Sequence, residues 1–411
     1  MKTRVLISAA LLAAFCFALP AHSATVKETV KWAPVVQPKP LTNNVKSGLA
    51  WLAKTQLKSG GWSQGEESSA MGNSLDNLKD KANVADTCIA ALALIRSGST
   101  PSKGQYAGNV RSAVNFVCAQ VEESDAKSLS VTDIKGTRVQ MKLGPYIDTF
   151  MASMLLTEAK GKMPTRKEDI RIEKALNKVL TKIAKNQRED GTWTNEGWAP
   201  VLSQSMATRA LNSAAQKGMN VDEKARERAE TYARKQYDGK SGSFKGEGSA
   251  GVQLYSAAGN LSSMQQSATT NAPMAAKAEV EFKNAKTDQA RKLAKSKLDR
   301  YQANDKDLAG AQSSIISRMD DKDFISGFGS NGGEEFLSYM NIGESLVVKG
   351  GKDWKNWDRS ITDNLNRIQN QDGTWTGHHC ITGRTFCTAA ALMVLTTDRA
   401  PVPVAGGIKR K

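Results

Sequence analysis

Aromatic residues make up only 6% of this 411-residue chain, histidine occurs three times and cysteine five times. Few ring faces are therefore available to steady a cationic intermediate in a cavity. Beyond residue 19 no apolar run approaches the roughly 20 residues that a membrane-spanning helix needs, which excludes a transmembrane segment there. Acid is also short: 57 lysines and arginines face 41 aspartates and glutamates, a formal charge of +16.

The chain opens MKTRVLISAALLAAFCFALPAHSATVKET, with Lys2 and Arg4 before an apolar run over residues 5–19 and then small residues. This reads as a secretory signal over 1–23, with Ala21 and Ser23 at the two small-residue positions and a mature start near Ala24. Phe15 precedes Cys16 where lipid attachment would want a small residue. The mature protein is expected to be secreted or periplasmic. Loss of Lys2 and Arg4 lowers the charge from +16 to +14. In an exported protein that surplus points to an envelope glycan, lipid or peptide rather than to nucleic acid, and it equally serves solubility. Cys88, Cys118, Cys380 and Cys387 remain, and in an oxidising compartment this even count favours two disulfides.

Three segments share one spacing: WLAKTQLKSGGW ending at Trp62, KIAKNQREDGTW ending at Trp193 and LNRIQNQDGTW ending at Trp375. In each, Gln is followed four residues later by Gly and two further on by Trp, and an aliphatic residue (Leu52, Ile183, Leu365) lies four before the Gln. The physical reading is an amphipathic helix up to the Gln, a Gly that permits a sharp exit, and an indole covering the helix end. After each turn comes a helix rich in small and apolar residues, ADTCIAALALI, SMATRALNSAA or TFCTAAALMVL, and a further one, YIDTFMASMLLTEA, begins at Tyr146. Helices apolar nearly all round are buried, so alternation with polar-faced ones makes two layers.

Six outer and inner pairs are expected: 43–57 with 85–97, 107–122 with 146–160, 170–187 with 203–217, 222–237 with 248–258, 306–320 with 334–348, and 357–370 with 384–396. Residues 264–305, rich in Ala, Lys and Gln, read as an inserted helix or helical hairpin projecting from the body, a surface for a protein partner. Residues 24–42 read as a linker and 399–411 as a basic tail, neither with a core pattern. The chain is thus expected to be all-α, one body over 43–398.

The Gln-x-x-x-Gly-x-Trp turn, with Asp-Gly before Trp193 and Trp375, resembles the QW repeat of squalene-hopene cyclases and their relatives. Six helix pairs resemble the (α/α)6 toroid shared by terpenoid cyclases, protein prenyltransferase β subunits and thioester domains, a resemblance that covers most of 43–398. It implies fold more than activity. The cyclase acid motif is not reproduced: in NVADTC only Asp86 and Thr87 match, and Asn83 and Ala85 stand where acids are required. The thioester spacing fails too, because Gln120 follows Cys118 by two residues rather than three. The prenyltransferase resemblance implies a zinc set of Asp86 and Cys88 with His378 or His379, leaving a coordination position open. Zinc is the cofactor this set admits, and the disulfide reading competes with it for Cys88.

In a toroid the N-termini of the inner helices ring one mouth. That ring would carry Asp86, Asp148, Glu334 and Glu335 as acid/base candidates, and Trp62, Tyr146, Trp198, Gln204, Tyr339, His378, His379 and Arg384 as ligand contacts. Each has a plainer reading: Asp86 and Asp148 as helix caps, Glu334 and Glu335 as first-turn dipole partners, the Trp side chains as repeat packing. The histidines of GHHC have no counterpart after Trp62 or Trp193. Positions 88 and 118 sit nearly symmetrically about residue 102, so a hairpin there would let Cys88 bond Cys118 while Cys380–Cys387 clamps the histidine loop. The leading expectation is recognition of an envelope-associated glycan, isoprenoid or peptide at the mouth. Zinc-assisted or glycan-directed acid/base catalysis, and a structural role through 264–305, stand beside it.

Overall fold

The computed structural model describes residues 31–68, 76–329 and 331–404. The leader and most of the basic tail lie outside the described residues. The all-α expectation holds: among the described residues strands are confined to two short antiparallel pairs.

The outer helices are α1 (Asn43–Thr55), α3 (Ala107–Glu123), α6 (Arg166–Lys185), α8 (Glu223–Lys235), α10 (Asp288–Ile316) and α13 (Gly351–Ile368). Their inner partners are α2 (Val84–Arg96), α5 (Ile147–Ala159), α7 (Pro200–Gln216), α9 (Gln253–Lys283), α12 (Gly333–Lys349) and α14 (Arg384–Leu395), with short α4 (Arg138–Leu143) and α11 (Lys322–Ser326) in the connections. The two kinds of helix differ as their sequences do. α6 starts in a Thr165–Glu168 capping box and buries one stripe of Ile172, Leu176, Val179 and Ile183, whereas every residue of α2 from Val84 to Leu94 is buried. The inner helices pack in cyclic order, α2 on α5, α5 on α7, α7 on α9, α9 on α12, α12 on α14 and α14 back on α2.

The repeated turns tie neighbouring pairs together. Trp62 Nε1 donates to Leu52 O at 2.8 Å, Trp193 to Ile183 O at 2.7 Å and Trp375 to Leu365 O at 2.8 Å. The aliphatic position of the motif is thus the one whose carbonyl the indole caps. The glutamines Gln56, Gln187 and Gln369 donate to the carbonyls of Gly60, Gly191 and Gly373 and also to the next outer helix, at Asn109 O, Ala225 O and Asn44 O. Gly373 is held at φ +87°, and a Cβ there would lie 2.8 Å from Ser47 Cβ of α1, so the last turn seats directly on the first helix.

Two regions differ from expectation. The segment 264–305 forms the helical hairpin expected of it, but not as an insertion between elements. It consists of the far ends of α9 and α10, and its base is packed: Met264, Gln265, Asn271, Tyr301 and Asn304 are buried. The chain ends form a sheet, Lys31–Pro34 pairing antiparallel with Pro401–Val404. Each strand's partner comes from the opposite end of the chain, so no local pattern marks it.

Candidate functional site

The acids at the inner-helix starts are all buried, and helix geometry places each one. Asn83 caps α2, accepting from Asp86 N at 2.9 Å and donating to Asp86 Oδ2 at 2.7 Å. Burial pushes Asp86 up to about 7 against the Asn83 bond, with Asp148 and Glu67 adding repulsion. Asp148, on α5, accepts from Ala85 N at 2.9 Å and from Gln140 Nε2 at 2.7 Å, and burial pushes it up to about 6 against those bonds. The Asp148 carboxyl thus joins the start of α5 to the start of α2, while Asp86 bonds only to its own cap.

A second group gathers at α12. Glu334 Oε2 accepts from Ile381 N at 3.1 Å, its Oε1 has no partner, and burial together with neighbouring Glu335 pushes it up to about 8. Glu335 Oε1 accepts from the Tyr255 hydroxyl and from Phe328 N at 3.0 Å. Its Oε2 lies 3.6 Å from His379 Nε2, too far for a hydrogen bond, and neither nitrogen of the half-buried His379 ring has a partner. Burial, His378 and Lys142 lower the His379 pKa, so the imidazole is neutral at neutral pH. A Cβ at Gly332 would meet Glu335 Oε2 at 2.8 Å and His379 Cε1 at 3.0 Å, which explains a glycine where the backbone approaches both members of the pair.

Rings flank this group in a chain of edge-to-face contacts. Tyr255 and Trp198 have centroids 6.0 Å apart, Trp198 and Phe328 5.0 Å, and Phe328 and His379 5.1 Å. Lys142 Nζ sits 5.3 Å over Trp198. Phe328 is 57% exposed, an unusual position for a large apolar side chain whose own backbone N–H bonds a buried carboxyl.

The expected ring therefore divides. Glu334, Glu335, His379 and Trp198 come together, joined by Tyr255, Phe328 and Lys142, which sequence reasoning missed. The clue to Phe328 is its setting in the glycine-rich ISGFGSNGG. Trp62 is buried as a helix cover, Gln204 Nε2 donates to Gly191 O at 2.9 Å, and the buried Tyr339 hydroxyl donates to Ile325 O at 2.8 Å, all roles of packing and capping. Tyr146 is half-buried at the start of α5, and Arg384 Nη1 donates to Asp372 Oδ2 at 2.6 Å. His378 is exposed, its N–H bonded to Asn331 O at 2.7 Å.

Two expectations are corrected. Asp86, Cys88, His378 and His379 do not form a zinc set, since no group of three or more His, Cys, Asp or Glu side chains converges among the described residues. Asp86 is engaged by Asn83, His378 faces solvent and His379 faces Glu335. The disulfides are absent too: Cys88, Cys118, Cys380 and Cys387 are all free and buried. Cys88 lies within the field of Asp148 on α5 and Cys118 within that of Arg171 on α6, different neighbours for two thiols expected to pair. Cys387 Sγ instead donates to Ile381 O at 3.2 Å, and Cys380 occupies a left-handed turn at φ +57°.

No protein-family model, curated protein or solved structure matches this chain.

Proposed function

We propose that this chain is an exported α/α toroid, related to the squalene-cyclase and prenyltransferase repeat proteins, that binds an envelope glycan at the ledge formed by Trp198, Phe328 and His379. The cyclic packing of the inner helices and the seating of the Gly373 turn on α1 support the toroid. The observation that carries the ligand reading is a set of buried, unmet polar atoms beneath exposed ring surface: Glu335 Oε2 and both His379 nitrogens lack hydrogen-bond partners next to a 57% exposed Phe328. Sugar hydroxyls supply donors to the carboxylate and both donors and acceptors to the imidazole, while sugar C–H faces pack on aromatic rings. An isoprenoid would leave those polar atoms unpaired, at a cost of about 1–3 kcal/mol each. Titrating cell-wall glycan fragments while recording the intrinsic tryptophan fluorescence, to which Trp198 contributes, tests the reading. His379→Ala and Phe328→Ala should each weaken binding about tenfold. Unchanged affinity in both variants would overturn it.

A catalytic reading is favoured by Glu334, which at about 8 stays protonated at neutral pH as a general acid must. It requires glycan turnover that Glu334→Gln abolishes while binding persists. A partner-binding reading is favoured by Val280 and Leu293, 57% and 61% exposed on the two arms of the α9–α10 hairpin. Deleting residues 272–300 should then abolish assembly and leave glycan binding intact.

A further inference from the structure

At the C-terminal ends of the inner helices, away from the ledge, lies a cavity of about 240 Å³. All six inner helices reach it, through Arg96, Glu158, Arg209, Gln265, Glu344 and Met393. At its wall the buried Arg209 and the partly buried Arg96 share one carboxylate: Arg96 Nη1 donates to Glu344 Oε1 at 2.7 Å, and Arg209 Nη2 pairs with Glu344 Oε2. Both oxygens of Glu344 are therefore engaged, and Arg209 Nη1 is left buried with no acceptor. Glu158 attracts both guanidiniums across the cavity and pairs with Lys162 Nζ at 3.5 Å, but makes no hydrogen bond to Arg209 Nη1. The lining carries Arg96, Lys162, Arg209 and Arg399 against Glu158 and Glu344. Burial draws Arg209 down to about 9 and Arg96 to about 10, so both remain cations at neutral pH. A buried cation with an unmet donor is costly unless an anion completes it.

We propose that this cavity is a second binding site, independent of the ledge, for a small oxyanion on a short apolar body. A carboxylate or phosphate oxygen accepts from Arg209 Nη1, and the body packs against Leu92, Met154, Val347 and Met393. At 240 Å³ the space is below the roughly 300–1,000 Å³ of drug-sized sites, which selects a small ligand. A free alcohol of the same length would fill the apolar part but offer Arg209 Nη1 only a neutral acceptor, a weaker partner than an anion.

Calorimetric titration of the full chain with hexanoate, hexyl phosphate and hexanol tests this. At least one of the two anions should bind, and the responding headgroup identifies carboxylate or phosphate as the preferred source. Hexanol should bind at least about tenfold more weakly, the size of one charge-assisted hydrogen bond. Arg209→Met should cost about the same factor. Ser213→Phe, which narrows the cavity and leaves the Arg96–Glu344–Arg209 cluster in place, should abolish binding, and it decides the matter if Arg209→Met fails to fold. Failure of both anions to bind, equal binding of hexanol, or binding untouched by Ser213→Phe would overturn the proposal. None of these outcomes depends on whether the ledge binds glycan.

Discussion

Glu334 illustrates how a residue chosen for a helix start acquires unusual chemistry by burial. Its carboxyl is held near 8 in the folded protein, against about 4.5 for an exposed glutamate, so between those values the folded state binds a proton that the unfolded state does not. The stability this supplies is fully present below pH 4.5 and is lost as pH rises through 8. At about 1.4 kcal/mol per pKa unit the loss is on the order of a few kcal/mol. Glu334→Gln, which mimics the protonated acid, should therefore be close to neutral near pH 5 and stabilising near pH 8.5. Urea unfolding of both proteins at the two pH values checks this; a variant less stable than wild type at pH 8.5 refutes it. The four thiols allow a second test. Burial raises Cys118 and Cys380 to about 12 and holds Cys88 and Cys387 well above the ordinary thiol range, so thiolate reagents should label none of these four in the native protein and all four after denaturation without reductant.

At the scale of elements, the Gln-Gly-Trp turn combines a cap, a glycine-only backbone and a link to the next outer helix. Trp375 is fully buried, and Trp375→Ala should cost about 3–5 kcal/mol. Gly373→Ala meets both the positive φ and the close contact with Ser47, and should cost about 1–3 kcal/mol. Gln369→Ala leaves the carbonyls of Asn44 and Gly373 without this donor, a smaller loss of about 1–2 kcal/mol. Chemical denaturation ranks the three, and a Gln369→Ala cost above that of Trp375→Ala would contradict this account.

For the whole molecule, the cyclic contact order makes the first and last repeats neighbours, so damage at the Gly373 turn also loosens α1. The α9–α10 hairpin behaves differently. Arg300 pairs with Glu223 at 3.2 Å and Asn271 donates to Glu230 at 2.7 Å, which anchors its base to α8. Beyond residue 271 only Ala278 of α9 is buried. Replacing residues 275–296 by a short Gly-Ser turn should consequently shift the melting temperature by only a few degrees, because little core area is removed. A loss of cooperative unfolding would show that the tip belongs to the core.

The alternation of polar-faced and wholly apolar helices, the six pairs and the three matching turns were legible in the sequence because each depends on residues close together in the chain. Periodicity marks which face is buried, and Gly and Trp at fixed offsets mark the exits. The starts of inner helices were legible for the same reason, which placed Glu334 and Glu335, while His379 stood out because GHHC follows the last turn and has no counterpart after the other two. Tertiary structure alone decided what those residues meet. Tyr255, Phe328 and Lys142 come from three other segments, the thiols lie beside different helices, and the chain ends pair with each other. The same holds for Arg96, Arg209 and Glu344, three charges on separate apolar helices whose shared cavity only packing creates. Local pattern specifies what a helix buries; the long-range geometry of the packed helices specifies which buried charges find one another.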